Sequence, residues 1–147
     1  MEANKILEII NRLEFFDQFT NDEKSSVIAL NAQFAIFKKD EKIISEGDRD
    51  SCLYVLLSGT VNVTKNESDA IIATLEAGEI FGEMSFTTHA IRATNITSND
   101  SAITLKIDDA LMNSLNVNVR EKIKDKIINK LVARIVAMND KIISHAF

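Results

Sequence analysis

Apolar residues recur every three or four positions at both ends of the chain, whereas the middle is built from short apolar runs. The first period predicts an amphipathic helix over residues 3–16. Thr20 followed by Glu23 is a capping-box sequence, so a second short helix is expected to start near Asn21. The residues that set the first period are Ile6, Ile9, Ile10, Leu13 and Phe16.

From Phe34 onward the pattern changes to short runs rich in β-branched and aromatic residues, each bounded by turn residues. At least seven such runs at this spacing predict an antiparallel sandwich or barrel. All four glycines fall between Gly47 and Gly82, at the joints between runs. The predicted strands cover residues 34–37, 43–45, 52–57, 60–64, 70–75, 91–97 and 102–107.

The C-terminal part of the chain returns to helical spacing. Asp108-Asp109 offers an N-cap, and a break near Asn116–Asn118 divides the helical region, with the last helix over about 119–144. An apolar stripe on this helix either folds back on its own domain or also meets a second copy, and we expect a homodimer. The stripe is Ile128, Leu131, Ile135, Met138 and Ile142, widened by Ile123, Ile127, Val132 and Val136.

The chain of 147 residues fits one domain with three segments, a helical segment 1–33, a β core 34–108 and helices 109–147. A hydrophobic content of 46% supports a core, and a net charge of −5 argues against a general nucleic-acid surface. The single Cys52 excludes a disulfide framework and is expected to behave as a buried hydrophobe. Neither a secretory signal nor a membrane span is visible, so we expect a cytoplasmic protein.

The stretch Phe81–Ile96, FGEMSFTTHAIRATNI, has the residue types that hold a small anionic sugar-phosphate. Gly82 allows close backbone approach, and amides at the start of a short helical turn would point at an anion. Arg92 supplies a forked cationic donor for phosphate oxygens, and Glu83 can accept hydrogen bonds from sugar hydroxyls. The alternative is a structural Arg92 paired with Glu83 alone, a buried pair whose attraction barely repays its desolvation.

These residues, together with IISEGDRDSCLYVLLSGTVNV at 43–63 and LEAGEIFGEMSF at 75–86, resemble the cyclic nucleotide-binding domain family. The class is shared by bacterial catabolite activator proteins, protein kinase A regulatory subunits and cyclic nucleotide-gated channels. The resemblance implies a mainly β fold, a double-stranded β-helix or β-roll, with flanking helices. In this family the last helix acts as lid and output.

The resemblance also implies a role for individual residues. Gly82 and Glu83 match positions that bind the ribose 2′-hydroxyl, and Arg92 matches the arginine that pairs with the cyclic phosphate. Ser85 and Ala93 match positions whose amides contact that phosphate. The apolar side chains expected to line the base pocket are Val63, Ile72, Leu75 and Met84, and those expected on the lid helix near the base are Met138 and Asn139.

The sequence departs from the family pattern in a few places. Phe86 stands where the family often has leucine, Ile91 where it has proline, and Asp40 where glycine is common. Phe86 could narrow the pocket, and Ile91 could loosen the loop that presents Arg92. The departures at Phe86 and Ile91 support an alternative in which the β-roll is a degenerate interaction or dimerisation module that binds no nucleotide.

Other kinds of chemistry find little support in the sequence. The two histidines, His89 and His145, lie outside the predicted strands and are expected to be solvated, which argues against a metalloenzyme of the related cupin type. Glu46, Asp48 and Asp50 are interpreted as turn formers on a solvated face. No catalytic triad or P-loop is present, and too few residues follow the last helix for a DNA-recognition helix.

We therefore expect a non-catalytic cyclic-nucleotide sensor that acts on an unknown effector and binds neither DNA directly nor a metal. Within the family, a Thr or Ser directly after the arginine often helps to bind guanine. Ala93 at that position favours cAMP over cGMP.

Overall fold

The computed structural model describes residues 2–30 and 33–146, without the side chains of Asp69 and of residues 142–146. The helices are α1 (Ala3–Arg12), α2 (Asn21–Ile28), α3 (Glu83–Thr88), α4 (Asp109–Ser114) and α5 (Val117–Ala146). The strands are β1 (Phe34–Phe37), β2 (Lys42–Ile44), β3 (Leu53–Ser58), β4 (Thr60–Lys65), β5 (Ser68–Glu76), β6 (Ile80–Phe81), β7 (Asn95–Ser98) and β8 (Ala102–Ile107).

The N-terminal helix is shorter than predicted. It ends at Arg12, Leu13 is extended, and Glu14–Phe16 form a 3-10 turn, so the prediction of one helix to residue 16 is wrong. The turn brings Phe16 against Phe19, with ring centroids 5.2 Å apart. The predicted capping box of α2 is confirmed, because Thr20 and Glu23 each accept the other's backbone N–H through their side chains.

The described strands form two four-stranded antiparallel sheets, ordered β1-β8-β3-β6 and β2-β7-β4-β5. The sheets and flanking helices confirm the predicted fold class. Tyr54 lies in the core, stacked on Phe81 at 5.1 Å, and burial raises its pKa to about 12, so its hydroxyl stays neutral. One core cluster draws on both sheets and consists of Ile44, Tyr54, Leu56, Val61, Phe81, Ile96 and Ala102.

Two strand predictions need correction. The strand predicted over residues 91–97 begins only at Asn95, so Ile91 and Arg92 lie in an irregular segment between α3 and β7. The two-residue β6 was not predicted, because it is too short to show a period. The remaining predicted strands are present, with ends shifted by no more than two residues.

The chain divides into two compact units, residues 1–114 and 115–147. Asp108 caps α4 by accepting the Leu111 N–H at 2.7 Å, which confirms the predicted N-cap. The predicted break lies just before α5, where Asn116 accepts the Asn118 N–H at 2.8 Å. The division at residues 33 and 108 stays a prediction.

The apolar residues of helix α5 are buried near its start and exposed farther along. Val119, Ile123 and Ile127 are buried, whereas the apolar residues from Ile128 to Met138 are mostly more than half exposed. Among the described helices, none combines the length and apolarity needed to cross a membrane.

Candidate functional site

The turn between β6 and α3 is built on Gly82, whose φ of +80° lies in the left-handed region. A Cβ placed on this residue would lie 2.8 Å from Arg92 Nη1 and 2.8 Å from the Cys52 carbonyl oxygen. Glycine is therefore required both for the backbone conformation and for the space. Within the protein the close approach at Gly82 is to Arg92 and to the Cys52 carbonyl oxygen, and its approach to a ligand stays a prediction.

The guanidinium of Arg92 is 3% exposed and is held by four hydrogen bonds. Its Nε and Nη2 donate to the two carboxylate oxygens of Asp50, each at 3.1 Å. Nη2 also donates to the Cys52 carbonyl oxygen at 2.6 Å, and Nη1 donates to the Gly82 carbonyl oxygen at 3.1 Å. A buried guanidinium with this many oxygen partners is fixed in one orientation.

Asp50 is a turn residue as predicted, since it accepts the Cys52 N–H, but sequence reasoning missed its second role. Its side chain is 38% exposed, but its carboxylate forms a bidentate pair with Arg92 instead of only serving a solvated turn. Burial would raise its pKa, yet hydrogen bonds from Arg92 and the Cys52 N–H outweigh burial and hold the pKa of Asp50 below its ordinary value. The pairing joins residues 42 positions apart, so no local pattern reveals it.

Arg92 retains little hydrogen-bonding capacity for a ligand. A guanidinium has five N–H donors, and in the described part of the chain four of them have protein oxygens as partners. The remaining donor is on Nη1, the nitrogen next to Gly82. An anion that leaves the pair with Asp50 intact therefore meets one N–H of Arg92 rather than its fork.

The main chain of Arg92 is fixed as firmly as its side chain. Its N–H donates to the Asp48 carbonyl oxygen, and its carbonyl oxygen accepts the Gly47 N–H, both at 2.8 Å. These bonds explain why the segment is not a strand, since its backbone partners lie in the loop between β2 and β3. Together, Asp50, Cys52, Gly82 and Arg92 form what we call the Arg92 cradle.

The predicted residues around the cradle fall into two groups. Glu83 and Ser85 are 3% and 4% exposed on the first turn of α3. Met84, on the same turn, is half exposed, and Ala93 follows Arg92 in the irregular segment and is exposed. The side chains of Glu83 and Ser85, which follow Gly82 in the sequence, are thus buried, whereas those of Met84 and Ala93 are accessible to solvent.

The predicted base-pocket residues do not all share one environment. Val63 and Leu75 pack against the core cluster, on neighbouring strands β4 and β5. Ile72, farther along β5, is outside that cluster and is 58% exposed. Met138 and Asn139 are exposed residues of the second unit, and their role near the base stays a prediction.

The structure also locates the residues considered for metal chemistry. Within its described residues, no three His, Cys, Asp or Glu side chains come together in a way that could hold a metal ion. His89 is exposed and ends α3 with a φ of +59°, and the side chain of His145 lies outside the described residues. Cys52, which was expected to be buried, is only partly buried and packs against the core cluster, and burial raises the pKa of its thiol.

Comparison with protein families identifies the family of the chain. The model of the cyclic nucleotide-binding domain matches residues 35–115, from β1 through the cradle to the end of α4. The chain belongs to the cyclic nucleotide-binding domain family.

The chain is 28% identical over 100 residues to a cAMP-dependent protein kinase regulatory subunit of Blumeria graminis, covering 61% of this chain and 26% of the relative. It is 30% identical over 77 residues to human cGMP-dependent protein kinase 2, covering 50% of this chain and 10% of the relative. The chain thus spans about a quarter or less of these relatives.

A crystal structure of a cyclic nucleotide-binding domain from Methylobacillus flagellatus KT superposes with a TM-score of 0.71 and 26% identity. The superposition covers 97% of this chain and 83% of that one. This likeness extends to nearly the whole chain, including the helices outside the region matched by the family model.

Proposed function

We propose that this chain is a non-catalytic sensor that binds a cyclic nucleotide at the Arg92 cradle, with cAMP as the preferred ligand. The observation that carries this proposal is the buried guanidinium of Arg92, which donates four hydrogen bonds to protein oxygens. Its fifth N–H is on Nη1, the nitrogen beside the Gly82 turn. Burying such a cation is costly unless it is paired, and its fixed orientation prepares one donor for an anion.

The proposed binding mode follows from the donors that remain. The cyclic phosphate accepts the free N–H on Arg92 Nη1 and the backbone amides near Ser85 and Ala93. Glu83 accepts hydrogen bonds from the ribose. Val63, Leu75, Ile72 and Met84 contact the base, and the exposure of Ile72 and Met84 leaves them accessible to it.

The preference for cAMP rests on Ala93, which has no hydroxyl to offer a guanine base. The relatives do not decide this point, because they include both cAMP-dependent and cGMP-dependent kinases. The proposed output is a shift in the population of α5, which carries the signal to an effector. A ligand can shift that population only by as much as its affinity differs between the two states.

The test is titration calorimetry of the nucleotide-free chain with cAMP and with cGMP, beside two arginine variants. Arg92→Lys keeps the positive charge but cannot form the hydrogen bonds to Asp50, Cys52 and Gly82 that hold the guanidinium in place. Because no donor is then fixed at the Gly82 turn, we expect it to weaken binding by about 2 kcal/mol or more. Arg49→Ala is the matched control, because Arg49 is an exposed arginine in the same loop as Asp50 and should leave binding unchanged.

The competing function is an interaction module that binds no nucleotide. A folded, nucleotide-free wild type that gives no heat with either ligand would establish that alternative. Binding that survives Arg92→Lys unchanged would show that the phosphate lies elsewhere.

A further inference from the structure

One buried polar side chain near the Arg92 cradle has no part in the proposed nucleotide contacts. Asn95 is 6% exposed at the first position of β7, three residues after Arg92. Burying a side-chain amide is costly unless its donor and acceptor atoms are paired. The partners of Asn95 therefore show which parts of the chain it holds together.

Asn95 joins two loops that are distant in the sequence. Its Oδ1 accepts the Glu46 N–H at 2.8 Å, and its Nδ2 donates to Asn66 Oδ1 at 2.7 Å. Because a backbone N–H can only donate, the contact with Glu46 fixes which side of the amide is the oxygen. Glu46 lies in the connection between β2 and β3, and Asn66 lies in the turn between β4 and β5. We call these two hydrogen bonds the Asn95 bridge.

The bond to Glu46 adds to the contacts that hold the main chain of Arg92. Glu46, Gly47 and Asp48 are consecutive, and each bonds to the segment 92–95 through a main-chain group. Gly47 and Asp48 bond to the main chain of Arg92, whereas Glu46 bonds to the side chain of Asn95. Strand β2 ends at its backbone pair with β7, so Asn95 continues the attachment of β7 to this loop.

The bond to Asn66 attaches the same segment to the strands that carry predicted base-pocket residues. Val63 lies on β4 and Ile72 on β5, and the turn at Asn66 connects these two strands. The side chain of Asn66 is exposed, but its oxygen is held by a buried partner. The Asn95 bridge therefore runs from the turn of the β4–β5 hairpin to the loop that holds Arg92.

We propose that Asn95 is a positioning residue, which fixes the Arg92 cradle relative to the β4–β5 hairpin. A ligand with an anionic part and an apolar part must contact the cradle and the hairpin together, so the bridge keeps both at one separation. Asn95 itself contacts no ligand. The expected effect on nucleotide affinity rests on the proposed function, whereas the effect on the cradle does not.

Hydrogen exchange of the nucleotide-free chain, followed by NMR, tests whether Asn95 holds the cradle. The amides of Gly47 and Arg92, which we call the cradle amides, are compared with the buried amide of Leu56 in β3 as a reference. Asn95→Ala removes the acceptor of the Glu46 N–H, and we expect the cradle amides to gain about tenfold in exchange rate relative to the reference. Equal changes at all of these amides would mean a general loss of stability and would overturn the proposal.

Two substitutions provide matched controls at or beside β7. Ser98→Ala removes a buried side-chain hydrogen bond of the same strand, in which Ser98 donates to the Asp100 carbonyl oxygen. Asn99→Ala removes another asparagine pair, in which Asn99 accepts a hydrogen bond from Asn62 on β4 at 3.0 Å. Neither of these two bonds reaches the connection between β2 and β3, so the cradle amides should exchange as in the wild type. A control that matches Asn95→Ala would refute a specific role of Asn95.

Calorimetry with cAMP tests the consequence for binding. Folded Asn95→Ala should bind about tenfold more weakly than the wild type, and the two controls should bind as the wild type does. Wild-type affinity in Asn95→Ala would contradict the positioning role. If the wild type binds neither cAMP nor cGMP, the proposed function fails, and the exchange rates still decide whether Asn95 holds the cradle.

The Asn66 side chain tests whether the whole bridge is needed. Asn66→Ala removes only the bond to Asn95, and it should weaken cAMP binding less, by about threefold. In a chain that already carries Asn95→Ala, the same change should have no further effect, because its partner is gone. Effects that multiply in the double variant would show that the two residues act separately and would overturn the bridge.

Discussion

Two turns of the β-roll satisfy the same backbone demands, yet only one of them holds a buried charge. Gly59 joins β3 to β4 and Gly82 joins β6 to α3, both with positive φ. At Gly59, the Ser101 carbonyl oxygen leaves no room for a Cβ, and Asp100 accepts a backbone N–H. At Gly82, the Cys52 carbonyl oxygen leaves no room for a Cβ, and Asp50 accepts a backbone N–H.

The difference between the two turns is Arg92. At the Gly59 turn, Asp100 accepts the Thr60 N–H at 2.9 Å, and Asn99 bonds to Thr60 at 3.1 Å, so the contacts join neighbouring strands. At the Gly82 turn, the aspartate and the carbonyl groups converge on one guanidinium. The same turn chemistry therefore joins strands at one position and, at the other, holds the guanidinium at which we propose that the phosphate binds.

The largest effect on stability is expected from Gly59→Ala. Its Cβ would lie 2.2 Å from the Ser101 carbonyl oxygen, and the positive φ adds strain, so the backbone must move. We expect a loss of about 3 kcal/mol or more in the free energy of unfolding, measured by urea denaturation. Nucleotide affinity of the folded variant should stay unchanged. A loss of affinity would show that the Gly59 turn also contributes to nucleotide binding.

Gly82→Ala should affect both stability and binding. Its Cβ would lie 2.8 Å from Arg92 Nη1, the nitrogen proposed to contact the phosphate. We expect a stability loss of about 1–3 kcal/mol from the positive φ, together with weaker nucleotide binding by calorimetry. Affinity equal to that of the wild type would show that Nη1 does not contact the ligand.

The sequence was enough to single out Gly82 and Arg92 as candidate site residues, but not to predict the hydrogen bonds that hold Arg92. A glycine at a joint and an arginine within an apolar run are visible locally, because each is unusual for its surroundings. The pairing of Arg92 with Asp50 depends on how two distant loops meet. Residues 91–94 include the β-branched Ile91 and Thr94, which suit a strand, but backbone hydrogen bonds to Gly47 and Asp48 fix an irregular backbone instead.

The predicted fold succeeded where a local pattern is clear and failed where tertiary contacts decide. The strands follow from short apolar runs bounded by turn residues, α5 follows from apolar residues at helical spacing, and the capping box of α2 follows from Thr20 and Glu23 alone. Helix α1 stops at Arg12 although the apolar period continues, because the chain turns to bring Phe16 against Phe19. The two-residue β6 has no period to detect.

The smallest effect is expected from the two aspartates, compared as Asp50→Asn and Asp100→Asn. The pKa of Asp50 lies below its ordinary value of 3.8, so its ionised form stabilises the fold above that pH and loses this effect as the pH falls through the lowered pKa. The stability gap between wild type and Asp50→Asn should therefore close on acidification, as followed by denaturation midpoints.

Asp50→Asn should also weaken nucleotide binding, because Arg92 loses the partner that orients it. Asp100→Asn keeps an oxygen that can accept the Thr60 N–H, so binding should be unaffected. Equal responses of the two variants would mean that Asp50 acts only as a turn residue.

The backbone bonds between Arg92 and residues 47–48 have a mechanical consequence. Through its main chain and side chain together, Arg92 is fastened to Gly47, Asp48, Asp50 and Cys52, which span the connection between β2 and β3. That connection and the segment after α3 therefore behave as one stiff piece. A displacement that starts at either segment must be shared by the other, so motion at the cradle is transmitted to strands of both sheets.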